Sequence, residues 1–299
     1  MRSCGGVGSL FDVLNLQTLK IGPFVDLLAS GYEATFGTTY PEYVDLLRLA
    51  ANLGLENIAN GDMLYHDVDH TIMVTMVGQE LLRCKRLKEG GVTPEEGLNY
   101  LVSLLCHDVG YVKGVCEKDG TSAGGFDDGR GSTVFIPEGG TCARLAPHHV
   151  DRSKVFVRER FSQHDFLNVD LMEACIERTR FPVPDDEVYF ETEDLPGLTR
   201  AADLVGQLGD PEYLRKIPAL YYEFHELGAD EDPALSSPGA MRKGYAQFFW
   251  GVVHGYVEYA LNLLRVTQEG KEWISRLHSH VFECEHYLGD ANLGAEAPV

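Results

Sequence analysis

Five side chains of this sequence, three histidines and two aspartates, have the types and the spacing of a metal site. His66 and His70 are four residues apart, so on a helix they would share one face. His107 and Asp108 are adjacent at the end of an apolar helical segment, and Asp203 interrupts an apolar helical turn. A buried carboxylate needs a partner, and a cation is one solution. Imidazole and carboxylate together suit zinc, manganese or iron, and magnesium can bind through carboxylates and water.

The order of these residues resembles the metal-binding pattern of the HD-domain metal-dependent phosphohydrolase superfamily. Longer segments are similar to motifs of cyclic-nucleotide phosphodiesterase catalytic domains. The likeness covers about residues 65–273, in order. The segments are Tyr-His-Asp-Val-Asp-His-Thr at 65–71 (their Tyr-His-Asn-x-x-His-Ala), Leu-Cys-His-Asp-Val at 105–109 (their His-Asp-Val), Pro-His-His at 147–149 (their Asn-His-His), Ala-Asp-Leu at 202–204 (the same in the family) and Phe-Phe-Trp-Gly-Val-Val-His at 248–254 (their Phe-Ile-Asp-Tyr-Ile-Val-His).

The resemblance implies an all-α, phosphodiesterase-like HD-domain bundle with two divalent metal ions, which would be zinc, magnesium, manganese or iron. His70, His107, Asp108 and Asp203 would bind the first ion, and Asp108 would bridge to the second. Two cations neutralise phosphoester oxygens and lower the pKa of a water between them. His66 would be the general acid that protonates the leaving alkoxide, because a histidine titrates in the useful range. The implied catalytic residues are therefore His66 and Asp108.

Four polar neighbours of these motifs need separate interpretations. Asp67 and Asp69 point to other sides of a helix than the histidines, so we expect them to support or to be solvated rather than to bind metal. The positions that match His148 and His149 orient ligands and water in the phosphodiesterases, and later histidines bind the second metal in other dinuclear HD proteins. We expect one of these two histidines to lie near the metals. The remaining histidines without a motif are expected outside the site (His164, His225, His278, His280 and His286).

The sequence departs from the phosphodiesterase pattern at two places. Tyr111 stands where the family has the second His of His-Asp-x-x-His. The purine-selecting Gln of the family precedes its clamping Phe by three residues; if Phe248 is the clamp, that place holds Tyr245, and Gln247 is two positions away. The candidate substrate pocket is Tyr65, Tyr245, Gln247 and Phe248. An aromatic wall for a base, or ordinary helix packing, would account for the late aromatic stripe (Phe248, Phe249, Trp250 and Tyr256).

Helical periodicity dominates the elements that must position these residues. We predict helices near 41–50, 69–87, 93–108, 147–161, 166–180, 197–208, 211–227, 241–266 and 271–288, and at most a short strand at 134–136. No linker divides the chain, so we predict one all-α domain over 1–299, with its metal-site core at about 60–270.

A glycine-rich segment, 114–140, follows the His-Asp motif directly. It is either a lid, in which Lys113 or Arg130 meets a substrate phosphate, or an insertion without such a role. Three arginines follow it on the next predicted helix, and we expect most of them at the surface (Arg152, Arg158 and Arg160).

The acidic composition limits the partners. The 299 residues include 46 acidic and 25 basic side chains, a net charge of −21, which disfavours a nucleic-acid polymer or an anionic membrane surface. A small anionic phosphoester remains the expected partner, because divalent ions create a local positive centre.

There is no apolar run of membrane-spanning length and no secretory signal, and the seven cysteines include no CxxC pair. We therefore predict a cytoplasmic protein with reduced thiols and leave a homo-oligomer open.

The leading hypothesis is a metal-dependent phosphohydrolase that acts on a small phosphoester, with a nucleotide or cyclic nucleotide as the expected substrate. One alternative is a di-iron HD-domain oxygenase, in which His148 or His149 would have to bind metal directly. The other is a non-catalytic, metal-stabilised binding or sensor module. Tyr111 and Tyr245 favour this last alternative, while His66 argues against it, because a pure binder needs no general acid.

Overall fold

The protein is built from α-helices in the part that its computed structural model describes, residues 16–120 and 124–290. The predicted all-α bundle is confirmed. Among the described helices, none combines the length and the apolar character that crossing a membrane requires. The helices are α1 (Leu16–Phe36), α2 (Pro41–Ala59), α3 (Val68–Lys88), α4 (Pro94–Cys106), α5 (His149–Phe161), α6 (Val169–Glu177), α7 (Leu195–Leu208), α8 (Tyr213–Glu226), α9 (Pro238–Phe248), α10 (His254–Leu264) and α11 (Gln268–Asp290).

Helix α1 lies outside the predicted set, although its buried residues have helical spacing. They pack against α2 and α3. Buried side chains from α1 through α11 form one hydrophobic cluster, which also takes in several unpaired, buried cysteines. The buried α1 residues are Ile21, Phe24, Val25, Leu28, Ala29 and Tyr32. The free, buried cysteines are Cys84, Cys106, Cys116, Cys142, Cys175 and Cys284. Cys4 lies outside the described residues.

The caps of two helices decide where the motif histidines lie. The Asp67 carboxylate accepts a hydrogen bond from the backbone nitrogen of His70, 3.0 Å away, and caps α3. Helix α4 begins with a reciprocal capping box between Thr93 and Glu96. Because α3 starts only at Val68, His66 precedes the helix. The prediction that His66 and His70 share one helix face is therefore wrong.

Two glycines allow the backbones that carry the motif residues to approach closely. A Cβ atom at Gly206 of α7 would lie 2.6 Å from the Cα atom of Val74 in α3. A Cβ atom at Gly110, two residues after Asp108, would lie 2.0 Å from the carbonyl oxygen of His149. Contacts this short exclude any larger residue unless the backbone moves. The absence of a side chain at these two glycines lets α7 lie close against α3, and lets the first turn of α5 lie close against the segment after α4.

The described parts of the glycine-rich segment, 114–120 and 124–140, fold around one buried arginine. The segment contains a short antiparallel hairpin of β1 (Gly125–Asp127) and β2 (Thr133–Phe135), whose second strand lies near the one predicted. The guanidinium of Arg152 donates to the carbonyl oxygens of Gly110, Val112 and Asp127 and pairs with Asp119. Arg152 is fully buried, whereas Arg158 and Arg160 are exposed, so the expectation that most of the three arginines lie at the surface is confirmed.

The predicted helix at 241–266 is interrupted in the structure. A π-helical turn at Phe249–Val253 joins α9 to α10. Such a turn contains an additional residue and shifts the helix face that follows it, which periodicity alone does not reveal.

Candidate metal centre

Four motif side chains from three parts of the chain converge on one point. The Nε2 atom of His70, in the first turn of α3, lies 3.3 Å from Oδ2 of Asp108 and 3.4 Å from Oδ1 of Asp203 on α7. The Nε2 atom of His107, just after α4, lies 3.1 Å and 3.6 Å from the same two oxygens. One ligand atom each of His70, His107 and Asp203 fits within 4.8 Å. The four residues that the sequence groups together thus meet in space.

Three of these converging atoms have no hydrogen-bond partner. His70 Nε2, His107 Nε2 and Asp108 Oδ2 are all buried and unsatisfied. The Nδ1 atom of His107 lies 2.7 Å from the carbonyl oxygen of Leu104 and donates to it, so Nε2 is left as the free ring nitrogen. Buried polar atoms are normally satisfied, and an orphaned one needs an explanation. A divalent cation would satisfy all three, and the donor set of imidazole and carboxylate fits one.

The electrostatics of this cluster also suit a cation. Burial would raise the pKa of Asp108, but His107 and His70 hold it well below its usual value. The same two histidines lower the pKa of Asp203, again against burial. Both carboxylates are therefore ionised at neutral pH. Burial lowers the pKa of His70 and His107, but the two carboxylates raise it on balance, and metal binding requires that both Nε2 atoms be free of protons.

His66 lies beside this cluster and is held by a carboxylate that the sequence interpretation missed. Its Nδ1 atom lies 2.5 Å from Oε2 of Glu223 on α8. The other oxygen of Glu223 accepts from the backbone nitrogens of Tyr65 and His66, at 2.7 and 3.3 Å. Burial lowers the pKa of His66, but Glu223 more than offsets it, so the net pKa is raised. A sequence signal existed, because Glu223 stands three residues after Leu220 on the buried stripe of α8.

Tyr111 separates two histidines by stacking between them. Its ring centroid lies 4.7 Å from that of His66 and 4.2 Å from that of His149, with both pairs nearly parallel. The Nδ1 atom of His149 donates to the carbonyl oxygen of Ala146, 2.6 Å away, and its Nε2 atom lies 3.8 Å from Oδ1 of Asp108. His149 therefore faces the Asp108 oxygen that His70 and His107 leave free.

Only one of the two consecutive histidines lies at the cluster. His149 is on the cavity wall, whereas His148 is not among the residues that line it. Burial lowers the pKa of His148, and its charged neighbours are Asp128, Arg152 and Arg130 in and around the glycine-rich segment. His148 precedes α5, which begins at His149, and its side chain points toward the glycine-rich segment rather than into the cavity.

A cavity of about 440 Å³ opens beside the cluster. Its polar end holds the residues described above, namely His66, Asp108, Tyr111, His149 and Asp203. Its other walls are mostly apolar side chains from α8, α9 and the segment between them (Leu220, Phe224, Leu227, Leu235, Met241 and Phe248). The combination of an apolar wall and a few converging polar groups is typical of small-molecule sites.

Two of the four residues predicted for the substrate pocket lie on the cavity wall. Tyr245 and Phe248 line the cavity. Tyr65 is buried beneath it, with its ring centroid 5.5 Å from that of His70. Gln247 is exposed and lies off the cavity, because two residues along α9 rotate the side chain about 200° from Tyr245. Of the predicted aromatic wall, only Phe248 contributes.

Three residues of α7 join Asp203 along the cavity, and the sequence analysis assigns a site role to none of them. Arg200 and Gln207 stand one turn before and one turn after Asp203, with Leu204 between. Residues three and four apart on a helix share a face. The signal was the charged and amide side chains at this spacing in an otherwise apolar helix.

The remaining polar candidates have partners elsewhere. Asp67 caps α3, and Asp69 pairs with Lys20 at 2.8 Å. Lys113 donates to the carbonyl oxygen of Gly140, and Arg130 pairs with Asp151. Neither basic residue lines the cavity, so the expected contact with a substrate phosphate has no support in this arrangement.

One protein family matches nearly the whole chain. The family model described as Npun_R2479-like matches residues 14–287. Its description names no reaction, substrate or cofactor. Neither the comparison with curated proteins nor that with solved structures gave a match.

Proposed function

We propose that this chain, which belongs to the Npun_R2479-like family, is a metal-dependent phosphohydrolase that cleaves a small phosphoester. One observation carries the proposal. Two imidazole nitrogens and one carboxylate oxygen meet at the polar end of a cavity, and none of the three has a hydrogen-bond partner. An oxygen of a second carboxylate lies beside them. The order of these residues along the chain resembles the HD-domain pattern, and a nucleotide or cyclic nucleotide is the substrate that this resemblance favours.

His70, His107, Asp108 and Asp203 are the residues that would hold metal. Divalent ions bound there would neutralise phosphate oxygens and lower the pKa of a bound water. His149 faces the second oxygen of Asp108 and is the nearest further ligand for a second ion. The orphaned atoms support at least one ion, and the position of His149 supports a second.

His66 is suited to donate a proton to the leaving oxygen. Glu223 occupies Nδ1, so Nε2 is left as the nitrogen that can reach a ligand in the cavity. Glu223 raises the pKa of this imidazole, which favours the protonated form that donation to a poor leaving alkoxide requires. Stacking on Tyr111 fixes the plane of the ring.

The cavity suits a small substrate with an apolar part. Its volume of about 440 Å³ falls within the range of roughly 300–1,000 Å³ typical of ligand pockets. The side chains of Phe248, Phe224 and Leu220 supply an apolar wall against which a base or another apolar group can pack. The net charge of −21 disfavours a polyanionic polymer in the same place.

Elemental analysis of the purified full chain, followed by a phosphoester screen with the metal found, tests this function. The screen includes cyclic nucleotides, nucleotides and aryl phosphoesters, and product release is the readout. We expect divalent metal in the protein and turnover of at least one class. A metal-loaded protein that hydrolyses none of these classes contradicts the proposal.

A second candidate function is an iron-dependent oxygenase, and His149 is the observation that favours it. Di-iron sites of HD-domain oxygenases have more direct histidine ligands than hydrolytic ones. The Nε2 atom of His149, 3.8 Å from Asp108, could supply one. Iron as the resident metal, with oxygen uptake on substrate addition, would favour the oxygenase, whereas hydrolysis that is independent of oxygen would exclude it.

A further inference from the structure

The guanidinium of Arg200 is buried without a full set of partners. The residue is 2% exposed, and its Nε and Nη1 atoms have no hydrogen-bond partner among the described residues. Only Nη2 donates, to the carbonyl oxygen of Tyr189 at 2.7 Å, and the ring of Tyr256 lies 4.1 Å from Cζ. Arginine presents five donors, so several remain unused in a place from which water is largely excluded.

The electrostatic surroundings of Arg200 do not neutralise it. It forms no ion pair with any described carboxylate, and another arginine, Arg178, is one of the charges acting on it. Burial is the main cause that lowers its pKa, followed by Arg178, and the pKa of about 10 still leaves it cationic at neutral pH. An unpaired buried cation is destabilising, so its presence needs a compensating role.

The position of Arg200 relates it to the metal cluster. Arg200 lines the same cavity as Asp203 and stands three residues before it on α7. Side chains three apart on a helix have Cβ atoms about 5–6 Å apart, which is one turn along the axis. A single molecule in this cavity can therefore contact both Arg200 and the cluster.

The other cations near the cavity already have carboxylate partners. Arg180 also lines it, but its guanidinium pairs with Glu177 at 2.5 Å and with Asp151 at 3.0 Å. Arg144 pairs with Glu226 at 3.4 Å. Among the described basic residues that line the cavity, Arg200 is the one whose charge is not balanced by an ion pair.

We propose that Arg200 forms an anion subsite of this cavity, which binds a phosphate or carboxylate oxygen of the substrate one helical turn from the metal cluster. The guanidinium suits either group, because its donors match the oxygens of both. The subsite also narrows the class of substrate, and in this respect it rests on the proposed function. Binding of an anion at Arg200 does not itself require turnover.

Calorimetric titration with phenylphosphonate tests the subsite. This probe has an anionic head and an apolar ring and contains no hydrolysable ester; benzyl alcohol is its uncharged counterpart. The full chain is titrated as purified and again after metal removal with a chelator, so that binding at Arg200 is separated from binding to metal. The variants are Arg200→Met and Arg200→Lys, with Arg178→Met as the matched control. Arg178 is also buried, but it donates to the carbonyl oxygen of Glu191 and does not line the cavity.

We expect Arg200→Met to weaken phenylphosphonate binding at least tenfold in both preparations. Arg200→Lys should retain part of the affinity, Arg178→Met most of it, and benzyl alcohol should bind all variants alike. Equal affinity of Arg200→Met and the unmodified protein would overturn the subsite. So would an equal loss in Arg178→Met, or the absence of phenylphosphonate binding by the unmodified protein after chelation.

A crystal structure of the unmodified protein, treated with a chelator and soaked with phenylphosphonate, provides a second test, which does not depend on how the variants fold. A phosphonate oxygen within hydrogen-bond distance of the Arg200 guanidinium supports the proposal, and a bound phosphonate elsewhere in the cavity overturns it. A phosphoester screen without turnover would count against the hydrolase alone, since neither binding readout requires hydrolysis.

Discussion

The orphaned atoms of His70, His107 and Asp108 make a prediction that can be tested one residue at a time. Asp108 contacts both histidines and faces His149, so Asp108→Asn removes the charge shared by all of them. We expect its metal content, measured by elemental analysis, to fall below about a tenth of normal, and turnover to be lost with it. Asp69→Asn is the control, because Asp69 is on the same helix as His70 but pairs with Lys20. Normal metal content in Asp108→Asn would exclude Asp108 as a ligand.

The general-acid role proposed for His66 predicts a loss of kcat without a loss of metal. His66→Asn should lower kcat by roughly 10²- to 10⁴-fold, the usual contribution of a general acid, while metal content stays normal. Glu223→Gln should have a smaller effect in the same direction, because it keeps the hydrogen-bond geometry but removes the charge that raises the pKa of His66. Steady-state kinetics and elemental analysis on the same samples separate the cases. Metal lost together with kcat in His66→Asn would make His66 a ligand.

Site residues that belong to a motif could be predicted from the sequence, whereas residues that reach the site only through the folding of the chain could not. His70, His107, Asp108 and Asp203 meet as their order suggested. Glu223 and Arg200 belong to no motif, and they join the site only because α8 and α7 present them to the same cavity. Gln247 was misplaced for the converse reason: its distance along the chain from Phe248 was considered, but its direction around α9 was not.

At the scale of elements, the close contact of α3 and α7 should be sensitive to a single methyl group. Gly206→Ala would place a Cβ atom 2.6 Å from the backbone of Val74, so the helices must separate. We expect a loss of about 1–3 kcal/mol in the free energy of unfolding, together with weaker metal binding, because His70 and Asp203 lie on these two helices.

A matched glycine provides the control for this change. Gly255 in α10 has nothing within 4 Å of the position of an added Cβ atom, so Gly255→Ala should be neutral or should stabilise the protein by up to about 1 kcal/mol. Urea unfolding and metal titration measure both effects. Equal stability of the two alanine variants would show that the contact of α3 and α7 adapts freely.

A second inter-element contact makes the stability dependent on pH. Lys154 of α5 lies 2.8 Å from Asp151 and 2.5 Å from Glu177 of α6, and Arg180 pairs with both acids. Burial would raise the pKa of each carboxyl, but the basic groups lower both to about 2. The unfolded values are about 3.9 and 4.3, so this stabilisation is present above pH ~4 and is lost as the pH falls toward 2.

Lys154→Met tests this contact. At pH 7 this substitution should reduce the free energy of unfolding by about 1–2 kcal/mol, because Lys154 and its two carboxylate partners are only partly exposed. The reduction should be smaller at pH 3, where the two carboxyls begin to be protonated. Urea unfolding at the two pH values is the measurement. Arg215→Met, which breaks an exposed pair with Glu212, is the control and should cost less than about 1 kcal/mol at either pH. A loss in Lys154→Met that is the same at pH 7 and pH 3 would contradict the role of the two carboxyls.

Secondary structure was predictable where periodicity and caps agreed. The Thr93 capping box and the proline that follows it marked the start of α4, which the structure confirms. The π-helical turn between α9 and α10 and the shape of the glycine-rich segment were not predictable. The segment depends on Arg152 meeting carbonyl groups up to 42 residues away in the chain, which local sequence does not encode.

At the scale of the whole molecule, the charge of −21 should oppose the approach of an anionic substrate. Salt screens this repulsion, with a Debye length of about 30 Å at 0.01 M and about 10 Å at 0.1 M. Contacts made in the cavity with Arg200 or metal are short and are screened less. We expect KM for a phosphoester dianion to fall several-fold between about 10 and 150 mM salt.

The uncharged benzyl alcohol is the reference for this measurement, because its affinity should not depend on salt. A KM that rises with salt would mean that the local positive centre, rather than the acidic surface, dominates the field along the path of the substrate.

The glycine-rich segment looks from its composition like a convenient place to insert a tag or a fluorescent reporter. The role of Arg152 advises against it. Its guanidinium joins the segment to α5, within four residues of His149 and next to Gly110. An inserted sequence that displaced Asp119 would therefore leave a fully buried cation without its carboxylate partner at the base of the site. The turn at Gly90 and Gly91 between α3 and α4 is a better place, because no neighbouring atom lies within 4 Å of an added Cβ atom there and none of the residues proposed for the site belongs to it.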